Sequence, residues 1–273
     1  MSLSAIMSAY EPEWRTLGLL VKDPIEERIA GTRYVSGRIL GRPVLLFLSG
    51  MSMINAAMTA ERAIQRYGPA RLLFSGIAGG LDPKLGVGDV VVPGRWAQPL
   101  EATFAREGPG GFAPPRDGLL ASPADIPGFG MIHARQVEVP GERGPEWRRW
   151  FDANAALLAV VRDASLQAVL KHDDRLGRLP AIHVGGSGVS SPVFVDNAAY
   201  HDHLFTAWGA RVVDMESAAV AQVASAHGLP FVALRSVSDL AGGDPHPNRW
   251  HVFAAHAADN SAALVTAMLA HLP

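Results

Sequence analysis

The stretch from residue 211 to residue 234, RVVDMESAAVAQVASAHGLPFVAL, contains one complete strand–helix–strand unit. Arg211–Val213 is a short apolar run typical of a strand, and the alanine-rich segment Ser217–Ala226 is typical of a helix. Gly228 stands where a glycine commonly ends a helix, and Pro230–Leu234 is the next apolar run. This alternation predicts an α/β layered fold with a largely parallel sheet.

The same alternation extends towards both ends of the chain. The other predicted strands are Leu3–Ala9, Tyr34–Leu40, Pro43–Ser49, Arg71–Ser75, Asp89–Pro93 and Ala181–Val184, and the other predicted helices are Ile54–Tyr67, Asn197–Trp208 and His251–Leu272. Ligands of such folds bind at the carboxyl ends of the strands. The residues that directly follow each strand are therefore candidates for a functional site.

The composition is that of a globular protein. Of the 273 residues, 48% are apolar and 18% are charged, the net charge is −2, and there is no cysteine. The charge argues against a nucleic-acid partner, and the lack of cysteine excludes disulfides, thiolate metal sites and cysteine nucleophiles. No continuous apolar run reaches the ~18 to 20 residues of a membrane helix, and the N-terminus does not resemble a secretory signal, so we expect a cytoplasmic protein without a membrane partner.

The segment from about residue 94 to residue 150 interrupts the alternation. Nine of the 20 prolines and nine of the 28 glycines lie between Pro93 and Pro145. Because these residues break regular structure, we interpret the segment as an excursion from one domain that spans residues 1–273, and not as a second domain. Its composition is compatible with a lid, an oligomer contact or a plain surface extension.

A glycine-rich segment, SGIAGG at residues 75–80, directly follows the predicted strand Arg71–Ser75. Glycine and alanine allow a ligand to come close to the backbone. The segment is neither a dinucleotide-binding nor a Walker motif, and a tight structural turn explains it equally well.

Two acids, Asp214 and Glu216, stand at a strand-to-helix junction in the sequence VDMESAA. Carboxylates at the start of a helix commonly do no more than interact favourably with the helix dipole. A carboxylate at this position is also well shaped to accept two vicinal hydroxyls. The spacing alone leaves both interpretations open.

Two further acids follow predicted strands. Asp239, in RSVSD after Pro230–Leu234, is well placed for a proton donor, because burial raises the pKa of a carboxyl group, although a loop cap next to Arg235 is the simpler alternative. Glu13, in SAYEPE after the first strand, matches a surface acid at the start of a helix, with Pro12 near the first helical position.

The histidines do not have the spacing of a metal site. His201 and His203 are two residues apart and would point apart on a helix, and His246 and His251 form no known ligand pattern. We therefore expect ordinary surface or core histidines and no metal.

The order and spacing of these motifs resemble the nucleoside phosphorylase/nucleosidase superfamily, and within it the 5′-methylthioadenosine/S-adenosylhomocysteine nucleosidase branch. The resemblance rests on SGIAGGLDP (75–83), VGDVVV (87–92), DMESAA (214–219) and RSVSDLA (235–241) and extends from about Ile6 to Leu272, except for residues 97–150, where this chain is longer. It implies an α/β fold, a three-layer αβα sandwich around a twisted mixed sheet in a single domain, that forms a homodimer and works without a cofactor.

The resemblance also assigns roles to the acids. It implies that Glu13 orients and deprotonates the attacking water, that Glu216 accepts the ribose hydroxyls and that Asp239 protonates purine N7. Ser238 would hold Asp239, and Arg235 would line the side of the water. The chemistry agrees, since one acid must serve the leaving base and another the water on the opposite face of the sugar.

The remaining contacts implied by the resemblance concern the base and the sugar. Met215 would pack beneath the sugar, Phe194 would stack on the base, and the backbone of Val195 would read the edge of the base. Ala78 and Gly79 would line both. Methylthioadenosine, adenosylhomocysteine, 5′-deoxyadenosine and other purine nucleosides remain alternative substrates at this point.

Water is favoured over phosphate as the nucleophile. Phosphorylases of this superfamily need arginines in the first turn and just before the glycine-rich loop, where this chain has Ser8–Glu11 and Phe74. Recruitment of Arg95 from the excursion would keep a phosphate-dependent phosphorylase possible. A non-catalytic nucleoside-binding protein is the third alternative, although the presence of all three acids argues against it.

Overall fold

The computed structural model describes residues 2–118, 121–141, 144–245 and 247–273. The helices are α1 (Glu11–Gly18), α2 (Met53–Tyr67), α3 (Ala155–Ser165), α4 (Ala198–Trp208), α5 (Ser217–Ala226) and α6 (Trp250–His271), with a short 3₁₀ helix at Asp174–Leu176. The strands are β1 (Ser4–Ser8), β2 (Lys22–Ile29), β3 (Thr32–Ile39), β4 (Arg42–Leu48), β5 (Arg71–Gly80), β6 (Val90–Val92), β7 (Arg95–Ala97), β8 (Ala102–Phe104), β9 (Arg106–Gly108), β10 (Gly111–Ala113), β11 (Ile132–Ala134), β12 (Val137–Val139), β13 (Glu146–Arg148), β14 (Phe151–Asp152), β15 (Ile182–Val184), β16 (Ser187–Ser190), β17 (Ala210–Asp214) and β18 (Phe231–Asp239).

The central sheet is mixed. Its main path runs β14-β7-β16-β17-β5-β1-β4-β3-β2, and β18 pairs with both β5 and β6. Strand β5 is parallel to β1 and β18 but antiparallel to β17. Because β17 and β18 both pair with β5, and not with each other, the helix between them does not produce a parallel pair. Among the described residues the central sheet has six parallel and five antiparallel strand pairs, so the expectation of a largely parallel sheet holds only in part, whereas the mixed sheet implied by the family resemblance is confirmed.

Helices cover both faces of the sheet. On one face, alanines of α2 and α5 pack closely on Phe74 and Val212, and on the other face α1, α3 and α6 pack on Ile6 and Val232. Small alanine side chains let the helices of the first layer approach the sheet closely. The three-layer αβα arrangement is thus confirmed.

Helix α6 is long and apolar enough, by length and composition, to cross a membrane. In the structure it packs against β18, β5, α3 and α1, and 61% of its most apolar 18-residue stretch is buried. It is therefore a core helix of this fold.

Strand β5 continues through the glycine-rich segment to Gly80, so the alternative of a tight turn at this segment was wrong. Its partner β18 pairs alongside in parallel, with Arg235 opposite Gly76 and Val237 opposite Ala78. The glycines are needed for space, since a Cβ atom on Gly76 would lie 1.8 Å from Nη1 of Arg235.

The excursion contains short hairpins, as far as the structure describes it. Strand β9 pairs with β10, β8 with β11, and β12 with β13, all antiparallel. Strands β7 and β14, at its two ends, belong to the central sheet. Its role as a lid, an oligomer contact or a surface extension stays a prediction.

Candidate active site

A cavity of about 180 Å³ lies at the carboxyl ends of β1, β5, β17 and β18. Nine of the ten residues predicted for the site line it, and the tenth, Arg235, lies directly behind it with no exposed surface. The lining residues are Ala9, Tyr10, Glu13, Met51, Ile77, Ala78, Gly79, Val193, Phe194, Val195, Val213, Asp214, Met215, Glu216, Ser238, Asp239 and Trp250.

Glu13 is only 3% exposed, so the alternative of a surface acid was wrong. The start of α1 turns its carboxylate inwards, where Oε2 accepts hydrogen bonds from the backbone N–H groups of Ala9 (2.9 Å) and Tyr10 (3.0 Å), and Oε1 accepts one from Ile77 (3.0 Å). Burial raises the pKa of Glu13 above its ordinary value, and the charge of Arg235 and the three N–H donors oppose that effect. A buried carboxylate with a raised pKa has the properties of a general base.

Among the described residues, the hydrogen-bond and ion-pair partners of the Arg235 guanidinium all contact its Nε. Its Nε donates a hydrogen bond to Oγ of Ser217 (2.9 Å) and lies 2.8 Å from Oδ2 of Asp214, and its guanidinium lies 3.9 Å above the ring of Phe74. Within the described part of the chain, Nη1 and Nη2 have no hydrogen-bond partner. Both Nη1 and Oε1 of Glu13 lie against Gly76, at 1.8 Å and 2.8 Å from the point where a Cβ atom would be. A cationic donor and a carboxylate thus both approach Gly76, behind the lining of the cavity.

The two acids of the VDMES segment have different environments. Oδ1 of Asp214 accepts hydrogen bonds from the backbone N–H groups of Glu216 (3.2 Å) and Ser217 (3.1 Å), which begin α5, so this acid does cap the helix. Glu216 instead turns away and accepts a hydrogen bond from the backbone N–H of Ser52 (2.8 Å). Burial first, and then the charge of the nearby Asp214, raise the pKa of Glu216 to about 7, while the charge of Arg235 opposes the shift.

Asp239 ends β18 and is held by three donors. Oδ2 accepts a hydrogen bond from Oγ of Ser238 (2.8 Å), as predicted for that serine, and Oδ1 accepts one from the backbone N–H of Ala241 (2.9 Å) and one from Nδ2 of Asn248 (3.0 Å). The bond from Ala241 is the expected local cap, and Asp239 also lines the cavity, while its role as a proton donor stays a prediction.

Three aromatic side chains and Met51 form the mouth of the cavity. Trp250 contacts Tyr10 (ring centroids 6.0 Å apart) and Phe194 (6.2 Å), and Phe194 is half exposed. Sequence reasoning did not single out Tyr10, Met51 or Trp250. Met51 follows β4, so the search at strand ends could have found it. Trp250 comes from the start of α6 and has no such signal.

Arg95 does not reach the cavity. Its Nε donates to Oγ of Ser187 (2.9 Å), and its guanidinium stacks on Trp150 at 4.1 Å. The expectation that it could be recruited for phosphate is therefore not met. In the described ranges no three metal-binding side chains cluster, and His246 lies outside the described residues.

Comparison with known proteins gives a consistent result. The family model described as the phosphorylase superfamily matches residues 5–270. A 5′-methylthioadenosine/S-adenosylhomocysteine nucleosidase of Marinomonas sp. (strain MWYL1) is 30% identical over 98% of this chain and 99% of its own, and the nucleosidase of the same name from Geobacillus thermodenitrificans (strain NG80-2) is 29% identical over 97% and 95%. The Marinomonas relative has nearly the same length, so the expectation that this chain is longer than its relatives over residues 97–150 does not hold for that protein.

Solved structures share the fold. The 5′-methylthioadenosine/S-adenosylhomocysteine nucleosidase of Neisseria meningitidis, in complex with methylthio-immucillin-A, superposes with a TM-score of 0.74 at 23% identity and covers 100% of both chains. The futalosine hydrolase of Helicobacter pylori strain 26695 has a TM-score of 0.72 at 20% identity and covers 99% of this chain and 98% of its own.

Proposed function

Because the chain belongs to the phosphorylase superfamily, we propose that it hydrolyses the N-glycosidic bond of a purine nucleoside of the 5′-methylthioadenosine/S-adenosylhomocysteine type. The products are the free base and a ribose derivative. The observation that carries the proposal is that Glu13, Glu216 and Asp239, which are far apart in sequence, line one cavity and are each at least 92% buried.

Asp239 serves the leaving base in this proposal. When the bond between C1′ and N9 breaks, its electron pair moves into the purine, and Asp239 gives its proton to N7, so that the base leaves neutral. Phe194 and the backbone of Val195 hold the base between the mouth and the end of β18. A positioned general acid of this kind contributes about 10² to 10⁴ to the rate.

Glu13 serves the water on the other side of the sugar. It takes one proton from the water while the oxygen forms its bond to C1′, and the free N–H groups of Arg235 orient the same water. The base and the ribose derivative together contain the atoms of the nucleoside and one water, and the cycle closes when Glu13 releases its proton to solvent and Asp239 recovers one from solvent.

Glu216 serves the ribose ring. Its carboxylate accepts the 2′- and 3′-hydroxyls, and these donors favour the ionised form of a group whose pKa is about 7 in the free protein. The ionised carboxylate also stabilises the positive charge that develops on the ring. Met215 packs beneath the sugar, and Ala78 and Gly79 leave room for it at the end of β5.

Water is the nucleophile in this proposal, and the charges of the cavity support it. Of the described residues that line the cavity, four are acids and none is a lysine or an arginine. Phosphate carries nearly two negative charges and needs several cationic or N–H partners. The apolar mouth, with Tyr10, Met51 and Trp250, fits an uncharged 5′ substituent such as methylthio.

The proposal is tested with a panel of purine nucleosides, with and without phosphate, scored for free base by chromatography. We expect release of base without phosphate. Turnover only after addition of phosphate would replace the hydrolase by a phosphorylase, and tight binding without release of base would favour a non-catalytic nucleoside-binding protein.

The variant Asp239→Asn tests the assignment of the acid. We expect kcat to fall by at least roughly 10²-fold, because an amide has no proton of suitable acidity for the base. The measurement is the initial rate of base release by the folded variant. Turnover near that of the wild type would contradict the assignment.

We also propose that the protein is a homodimer through the outer face of α2. Ile54 and Met58 lie on this face and are 73% and 55% exposed, next to Met51 at the mouth of the cavity. Burial of such a patch in a second copy of the chain stabilises the pair by the hydrophobic effect.

A further inference from the structure

Asn248 joins three parts of the site without lining the cavity itself. Its Nδ2 donates to Oδ1 of Asp239 (3.0 Å) and to Oδ1 of Asp196 (3.3 Å), and its own Oδ1 accepts the backbone N–H of Trp250 (2.9 Å). Asp196 directly follows Val195, and Trp250 begins α6 at the mouth. Asn248 reaches Asp239 from a second cavity of about 200 Å³ on the other side of this carboxyl group.

The hydrogen bonds divide the two oxygens of Asp239. Oδ1 accepts two N–H donors, from Ala241 and from Asn248, whereas Oδ2 accepts only the hydroxyl of Ser238. A carboxyl oxygen has two lone-pair positions in its plane, and an oxygen that binds a proton keeps only one of them. Two N–H donors on Oδ1 therefore leave the acid proton to Oδ2.

We propose that Asn248 is a positioning residue, which saturates Oδ1 of Asp239 and thereby keeps the acid proton on Oδ2 for transfer to the leaving base. This inference rests on the proposed function. Ala241 alone leaves Oδ1 one lone pair for a proton, and loss of Asn248 would then allow the proton to move to the wrong oxygen. Loss of Asn248 would also allow the carboxyl group of Asp239 to rotate.

Two variants separate this role from the support of α6. Asn248→Asp keeps an oxygen that accepts the N–H of Trp250 but removes the donor to Asp239, and Asn248→Ala removes both. Asp196→Asn is the matched control, because it removes the charge of the other acceptor of Asn248, keeps an oxygen there and leaves the bond to Asp239 in place.

The readout is the dependence on the leaving group. Each variant is assayed on a purine nucleoside and on ribosides whose leaving group needs no proton, namely the 7-methylpurine nucleoside and the p-nitrophenyl riboside. We expect Asn248→Asp and Asn248→Ala to lower kcat on the purine nucleoside by about 10- to 10²-fold, part of the contribution of the general acid. We expect a change below about threefold on the other ribosides, and below about threefold on all substrates for Asp196→Asn.

The outcomes are distinct. Equal losses on all substrates, or no loss on the purine nucleoside, overturn the role of Asn248. Binding of the free base by calorimetry gives a second readout, and an affinity lowered more than about tenfold in both Asn248 variants would mean a merely structural residue.

Asp239→Asn is measured in parallel. If Asp239→Asn shows no dependence on the leaving group, the proposed function of Asp239 fails, and if it shows one while the Asn248 variants do not, only the role of Asn248 fails.

Discussion

Single residues of this site owe their chemistry to burial. Glu13 and Glu216 carry carboxyl groups that are 3% and 6% exposed, and burial raises the pKa of each. Asp214 and Arg235 form a buried ion pair next to them, in which the charge of Arg235 offsets that of one of the acids of the cavity. The protein therefore maintains acids in an environment that disfavours their charge, and this has a cost in stability.

Glu216 contributes to the pH dependence of the free energy of unfolding. Its pKa is raised from 4.5 to about 7 on folding, so its contribution to stability is complete below pH 4.5 and is lost as the pH rises through about 7. We expect this carboxyl group to lower the free energy of unfolding by up to about 3 kcal/mol between pH 5 and pH 8. In Glu216→Gln the side chain stays neutral, so this variant should be more stable than the wild type at pH 8 and differ less at pH 5.

Urea denaturation at pH 5, 6.5 and 8 measures this difference. Glu138→Gln is the control, because Glu138 is an exposed acid on β12 and its replacement should leave the pH dependence unchanged. The same pH dependence in Glu216→Gln as in the wild type would contradict the argument.

Among the elements, β5 has the strictest requirement. It is both a central strand and part of the wall of the cavity, and at Gly76 it leaves room for Nη1 of Arg235 and Oε1 of Glu13. A strand glycine normally weakens a sheet, and here it marks a close approach of side chains. The pairing with β18 on one side and β1 on the other keeps this wall in place.

Gly76→Ala should therefore lower kcat by at least about 10²-fold. The added Cβ atom would lie 1.8 Å from Nη1 of Arg235 and 2.8 Å from Oε1 of Glu13, so both groups must move, and misplacement by about 1 Å can cost a factor of this size. The rate of base release is the measurement, with circular dichroism as a check of the fold. Gly110→Ala is the matched control, because no atom lies within 4 Å of a Cβ atom there. Turnover of Gly76→Ala within threefold of the wild type would refute the requirement.

At the scale of the whole molecule, the cavity opens next to the outer face of α2. If a second copy covers this face, the environment of Met51 at the mouth depends on assembly. We therefore propose the homodimer together with the activity, whereas the cytoplasmic location stays a prediction from the sequence.

Light scattering tests the dimer. We expect the wild type to have about twice the mass of the 29.0 kDa chain and Ile54→Glu to shift towards the monomer, because a charge in an apolar interface loses its hydration. Leu166→Glu is the control, since Leu166 is 85% exposed at the end of α3, away from α2. A wild-type mass equal to that of one chain would exclude the dimer.

Periodicity and composition predicted four of the six α-helices of the described residues. Helices α2, α4, α5 and α6 begin and end within one residue of the predicted bounds. Helix α1 was not predicted as an element, because its eight residues are too few for a clear pattern, and Pro12 and Glu13 gave only a helix-start signal. Strand β18 extends to Asp239, beyond its apolar run, since the pairing with β5 stabilises a strand whose polar side chains are buried.

The sequence pattern by itself determined the strand–helix alternation and the strand ends that carry the acids, because strand–helix junctions are local properties, whereas the αβα layers and the roles of the acids were implied by the family resemblance. Only the tertiary structure decided the direction of β17, the burial of Glu13, the separation of roles between Asp214 and Glu216, and the contact of Asn248 with Asp239. These depend on pairing and packing between segments that lie far apart in the chain, and such contacts leave no periodic signal in the sequence.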